Sequence, residues 1–230
     1  MTSAQELADE LDLKRRQHPV GNAFLDIARA GRLTEDHMRR LVCVEAQLHH
    51  AELPGYGLMI SRFPHRPAAG LYLGLTQVAY EAGPRLKSVA ESLGLPPEDR
   101  AKWMWPPGRK TYSFNGILSW LAVQGSQAVT ALAAYTDMRV YFPSCREIMA
   151  KIREHGVDAP EEFTSYFESD PTGKLRPLAL EVVQDGLDRG DDPREAVFMA
   201  RLLEEFAADF WASAAEVREP EPGSAAGGRT

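Results

Sequence analysis

The chain has 230 residues, 44% of them hydrophobic and 26% charged, with a formal net charge of −7. That acidity argues against a nucleic-acid binder, which needs a basic stripe to neutralise phosphates. The polar opening MTSAQELADELDLKRR has no apolar leader run, so a reducing, cytoplasmic setting is expected.

Nearly every segment repeats its apolar residues at the helical period, and no run alternates cleanly. The pattern predicts a first helix over 3–16 and a second after HPVGN, ending at Gly31. Thr34 is the expected N-cap of a third helix reaching Arg62, with a bend at Pro54-Gly55. A fourth runs from Pro67 to Gly94, with a kink at Gly83-Pro84. A short helix over 97–104 leads into the turn WPPGRK, and Trp103 and Trp105 read as core packing or a cavity lid. Residues 111–136, TYSFNGILSWLAVQGSQAVTALAAYT, hold no charged side chain and are predicted as one buried central helix. Asn115, Ser119, Gln124, Ser126, Gln127 and Thr130 interrupt it too often for a membrane span.

A break is expected near Pro143, followed by helical turns at 144–155 and 159–168, a loop at SDPTGK, and helices at 174–189 and 193–217. Asp192 and Pro193 make a conventional start for the last of these. The reading is one all-α domain over 1–217 and a disordered tail over 218–230. Cys43 and Cys145 form no CxxC pair and read as buried free thiols.

Three groups carry candidate chemistry. Counting back from Asp137 by helical steps gives Ala133, Thr130, Ser126, Ser119 and Tyr112, a small and hydroxylated stripe that either lines a cavity or lets two helices approach closely. Glu45, His49 and Glu52 lie at i, i+4 and i+7, which fits a shared metal ion, an acid/base pair, or a solvated face with an i,i+4 pair. Glu81 follows Ala79 and Tyr80 on a mostly apolar helix; turned inward, its pKa would rise.

Four segments in order, HPVGNAFLDIARAGRLTEDHMRRLVCVE, YEAGPRLKSVAESLGL, KTYSFNGILSWLAVQGSQAVTALAAYTD and EEFAADFWASAAE, touch most of residues 17–216. In them the chain resembles the haem-oxygenase-like superfamily, closest to its TenA (thiaminase II) branch. The resemblance implies an all-α haem-oxygenase-like bundle and a homodimer or homotetramer. It places Glu45 at the position of an Asp that holds the substrate pyrimidine amine, and Tyr112 at a pocket tyrosine. Asp137 falls on the family's catalytic cysteine, so thiolate attack is not available there. Ala207 stands where the family has a C-terminal glutamate, and Glu205 lies on a different helix face.

These substitutions point to a small-molecule enzyme without a cofactor, doing acid/base chemistry on an amine-bearing or heterocyclic metabolite. Asp137, Glu45 and Tyr112 are the expected catalytic residues, and His49, Trp120, Gln127, Tyr135 and Glu81 the expected ligand-binding neighbours. No nucleic-acid or membrane partner is expected. One alternative is the superfamily's diiron oxidases, with Fe on Glu45, His49, Glu81 and Asp137. Against it, Lys87 stands near an expected histidine, and the late ligand run falls on Asp170, Lys174 and Pro177, or in a shifted register on Glu181, Asp185 and Asp188. The other alternative is a non-catalytic binding or accessory protein. Haem ligation through His18 ranks below the diiron reading.

Overall fold

The computed structural model describes residues 2–96 and 108–216. The expected helix at 97–104, Trp103, Trp105 and the tail after 217 lie outside the described residues. Among the described residues there are nine helices and no strand: α1 (Ala4–Gln17), α2 (Ala23–Arg29), α3 (Glu35–Arg62), α4 (Ala68–Ser92), α5 (Arg109–Gln124), α6 (Gln127–Glu154), α7 (Glu161–Glu168), α8 (Leu175–Asp188) and α9 (Pro193–Ala215).

Local signals set most of the ends. Ser3 and Glu6 form a capping box at α1. The Asn22 side chain accepts from Leu25 N at 2.9 Å to start α2. Thr34 caps α3 as expected, with His37 reaching back to its backbone. Gly31 takes a φ of +65° and lets the chain turn out of α2, a conformation that a side chain would strain. Asp192 caps α9 and Pro193 opens it.

The uncharged stretch is two helices rather than one. At Gly125 and Ser126 the backbone is extended, and Ser126 becomes the N-cap of α6. A Cβ on Gly125 would lie 2.8 Å from both the Leu121 carbonyl oxygen and Thr130 Cγ2, so the break is a tight turn with room only for glycine. Asp191 accepts from Ala128 N at 2.8 Å and satisfies a second free donor at the new N-terminus. Conversely, the expected break at Pro143 is absent: α6 continues to Glu154. Met138 lies buried before that proline and Cys145, Ile148, Met149 and Ile152 after it, so packing on both sides outweighs one missing backbone bond. Pro54 and Pro84 are likewise carried inside α3 and α4.

α3 packs on α4 and α5, α5 on α9, and α6 on α8 and α9. One contiguous apolar core joins these faces, with Phe24, Leu41, Tyr72, Leu132, Ile148 and Phe163 fully enclosed. Burial explains the lack of charge on the first turns of α6 and the inner face of α5, where a charge would lose its hydration; the outer face of α5, with Trp120 and Val123, is exposed and packing does not explain why it is uncharged. No described helix is long and apolar enough to cross a membrane.

Candidate active site

Helical spacing delivers the polar side chains to one cavity. α3 contributes Glu45, His49 and Glu52 at i, i+4 and i+7, and α6 contributes Asp137 and Tyr141 at i and i+4. α4 adds Glu81 and Arg85, again one turn apart. α7 and the residues after it bring Tyr166, Phe167 and Ser169, while α9 brings Ala207, Phe210 and Trp211. The enclosed space is about 120 Å³. A second void of about 20 Å³ lies behind it, lined by Thr130, Ala133 and Leu118 among others, and Asp137 borders both.

Hydrogen bonds fix the floor. The Tyr141 hydroxyl donates to Glu45 Oε1 at 2.8 Å, and Tyr166 OH lies 3.4 Å from the same oxygen and 3.2 Å from His49 Nε2. His49 Nε2 is 3.7 Å from Glu45 and 3.8 Å from Glu52, close enough for charge attraction and too far for a hydrogen bond to either. Glu45 is 4% exposed, and its Oε2 has no hydrogen-bond partner among the described residues. Tyr141 stacks on Trp211 with centroids 5.7 Å apart, and Phe210 meets Trp211 edge-on at 4.9 Å. The result is an aromatic wall above an acidic floor.

Burial among neighbouring charges shifts the protons of Asp137, Glu52 and His49. Burial, then the charges of Glu52 and Glu45, push Asp137 up to about 7. Burial also raises Glu52, with His49 opposing the shift and Glu45 adding to it. For His49, burial disfavours the cation, but the adjoining Glu45 and the Glu52 charge outweigh it and hold the pKa above the usual imidazole value. The floor therefore sets an imidazole biased towards its cation among acids, one of which, Asp137, is poised near neutral pH to give or take a proton.

Four of the residues expected at the site share this cavity: Glu45, His49, Glu81 and Asp137. Four do not. Tyr112 faces an open groove between α3 and α5 with Asn115 and Ser119, because Phe114, about 200° further round the helix, takes the inward position. Trp120 is 42% exposed. Tyr135 sits two residues before Asp137, on the other side of α6, packed against the core. Gln127 is a structural link: its amide donates to Val182 O at 3.0 Å and Asp185 Oδ2 at 2.7 Å, and its carbonyl oxygen pairs with His65. The stripe counted back from Asp137 fails beyond Ser126, since the break at Gly125 puts Ser119 and Tyr112 on a different helix. Counting forward one turn would have found Tyr141. Tyr166 and Arg85 had no local signal.

The iron set of Glu45, His49, Glu81 and Asp137 does not fit. Among the described residues no group of three or more His, Cys, Asp or Glu is arranged to hold a metal ion. Glu81 is bonded to Gln77 on its own helix.

Solved structures show what the architecture is. A TenA homologue from Pyrococcus furiosus matches with a TM-score of 0.67 at 15% identity, over 90% of this chain and 99% of its own. The fold is that of the TenA homologues. A TenA homologue from P. horikoshii OT3 matches equally, with a TM-score of 0.66 at 15% identity, over 92% of this chain and 96% of that one. No protein-family profile matches the chain, and no curated protein matches its sequence. On this TenA-like frame Ala207 lines the cavity, while Glu205 is exposed and pairs at 3.8 Å with Arg201.

Proposed function

We propose that this protein is a small-molecule enzyme that takes an amine-bearing, flat heterocyclic metabolite and moves a proton on it with its own side chains. The observation that carries the reading is the floor of the cavity: Glu45, Glu52 and Asp137 line an aromatic-walled space of about 120 Å³, and Glu45 Oε2 is left without a partner. A buried carboxylate oxygen with no donor is a costly arrangement that a bound N–H group relieves. Phe210, Trp211 and Tyr141 supply faces for a ring, and a cationic ring gains further from those π-systems.

Roles follow from geometry. Glu45, pinned by Tyr141, anchors the ligand amine. Asp137 makes no side-chain hydrogen bond among the described residues, borders both voids, and changes charge near neutral pH, so it is the general acid or base. His49, held by Tyr166, keeps the neighbouring acids from repelling one another fully.

The test has two readouts. 4-Aminopyridine, an amino-heterocycle that is cationic at neutral pH, is titrated calorimetrically at pH 6 and pH 8.5. A panel of amine-bearing heterocycles is followed for turnover or solvent deuterium uptake by NMR. Binding should tighten about tenfold with rising pH as Asp137 ionises, corresponding to about 1.4 kcal/mol. Asp137→Asn should remove that dependence, and both it and Glu45→Gln should abolish turnover. Binding that survives both substitutions, with no turnover in the wild type, would instead make the protein a non-catalytic ligand carrier. Failure of every cationic amine to bind would overturn the reading.

A further inference from the structure

The mouth of the cavity carries a cation, Arg85, one turn from the exposed Glu81. Among the described residues Arg85 is the only lysine or arginine on the cavity wall, and it has no carboxylate within ion-pair distance there. Its guanidinium sits 5.4 Å over the Tyr166 ring. Its remaining contacts are weak: Nη1 donates to Ser169 Oγ and Nη2 to Ser165 O, both at 3.4 Å. Most of its donor capacity is unspent.

The nearby acids do not cancel it. Asp170, next to Ser169, is consumed by Arg146 at 2.8 Å, by Arg176, and by the Thr172 hydroxyl at 2.6 Å. Burial opposes its charge, but those donors outweigh burial and hold its pKa down at about 2. Two arginines against one carboxylate leave Asp170 no charge to offer Arg85. Glu81, one turn before Arg85 on α4, accepts from Gln77 and is not paired with Arg85.

Tyr166 fixes the spacing between the two charged ends. Its hydroxyl touches Glu45 and His49 on the floor, while Arg85 lies against its ring at the mouth. Anionic floor and cationic rim are therefore separated by about one aromatic ring. An acidic cluster alone would not define a ligand site, but Glu45 is 96% enclosed and presents an unpartnered oxygen, which gives the floor an independent demand for a donor.

We infer that the cavity selects a zwitterionic ligand: an amine or ring cation at Glu45 and Asp137, and a carboxylate or phosphate held at the rim by Arg85 and Ser169. This rests on the amine-binding reading of the floor and adds a second subsite to it. Arginine suits the task because its planar fork meets both oxygens of an oxyanion. The two subsites also specify orientation, since the reverse placement sets like charges against each other at both ends.

Three probes of one ring size test it by calorimetry at pH 8: benzylamine, 4-(aminomethyl)benzoate, and the methyl ester of the latter. The wild type should bind the zwitterion at least tenfold more tightly than either the amine or the ester. In Arg85→Gln the ratio of zwitterion to benzylamine affinity should fall to one or below, with Arg85→Lys between. In Glu45→Gln all three should weaken together. A wild-type preference below twofold, or a preference that persists in Arg85→Gln, overturns the rim subsite while leaving the amine floor standing. If none of the three binds, the floor reading fails and the rim subsite falls with it.

Discussion

Asp137→Asn separates the proton inventory of the site from its shape. Asparagine is close in size to aspartic acid and mimics its neutral form. The native carboxyl titrates at about 7 against an ordinary 3.8, so the folded state holds the proton more tightly than the unfolded chain. An acid whose folded pKa is raised destabilises the protein as pH climbs through that window, with no penalty well below 3.8 and the full penalty above 7. Three units at about 1.36 kcal/mol each give about 4 kcal/mol by pH 8, and the same expression gives about 1.7 kcal/mol at pH 5. Urea unfolding of both proteins from pH 4 to pH 8 reads this directly. Asp137→Asn should match the wild type near pH 4, pull ahead steadily, and melt about 8–16 °C higher at pH 8. A stability difference that stays flat with pH would show that the carboxyl titrates normally, and the account of a crowded, enclosed acid would be refuted.

Two further substitutions probe the frame that holds the site. Gly186→Ala would put a Cβ 2.7 Å from both Ala128 N and Asp191 Oδ2, breaking the cap of α6. A loss of about 3 kcal/mol, or about 6–12 °C in Tm, is expected from overpacking plus a lost cap, and an unchanged melt would refute the close crossing. Glu204 is 3% exposed and ties Arg15, at 2.6 Å, to Arg201, so Glu204→Ala removes the buried acceptor that joins them, leaving Arg15 with Asp12 and Arg201 with the His18 carbonyl oxygen and Glu205. Urea unfolding should show a loss of about 3–5 kcal/mol, and a loss below about 1 kcal/mol would show that these charges are solvated.

Much of the fold is legible because amphipathic period and capping residues are local. Thr34, Gly31 and Asp192-Pro193 mark ends that the chain uses. The errors came where tertiary packing decides. Pro143 looks like a stop, but burial on both sides carries α6 through it, and the bland dipeptide Gly125-Ser126 makes the break, where the chain turns too tightly to leave room for a Cβ at 125. At the site, spacing along one helix puts Glu45, His49 and Glu52 on one face, the resemblance singles out Asp137, and all four line one cavity. It failed for Tyr112, since aligned position says nothing about which side of α5 turns inward. Tyr166 and Arg85 approach from elements distant in sequence, and only coordinates bring them to the floor and the mouth.

The small void behind Asp137 changes how the binding space can be altered. Leu118 and Leu121 close it on the side away from the tryptophan and tyrosine faces. Trimming either one would deepen the small void on its far side, while Phe114 and Asp137 stand between the two hollows. Spare room thus lies behind the titrating carboxyl and Phe114, where it can be enlarged without disturbing either charged end.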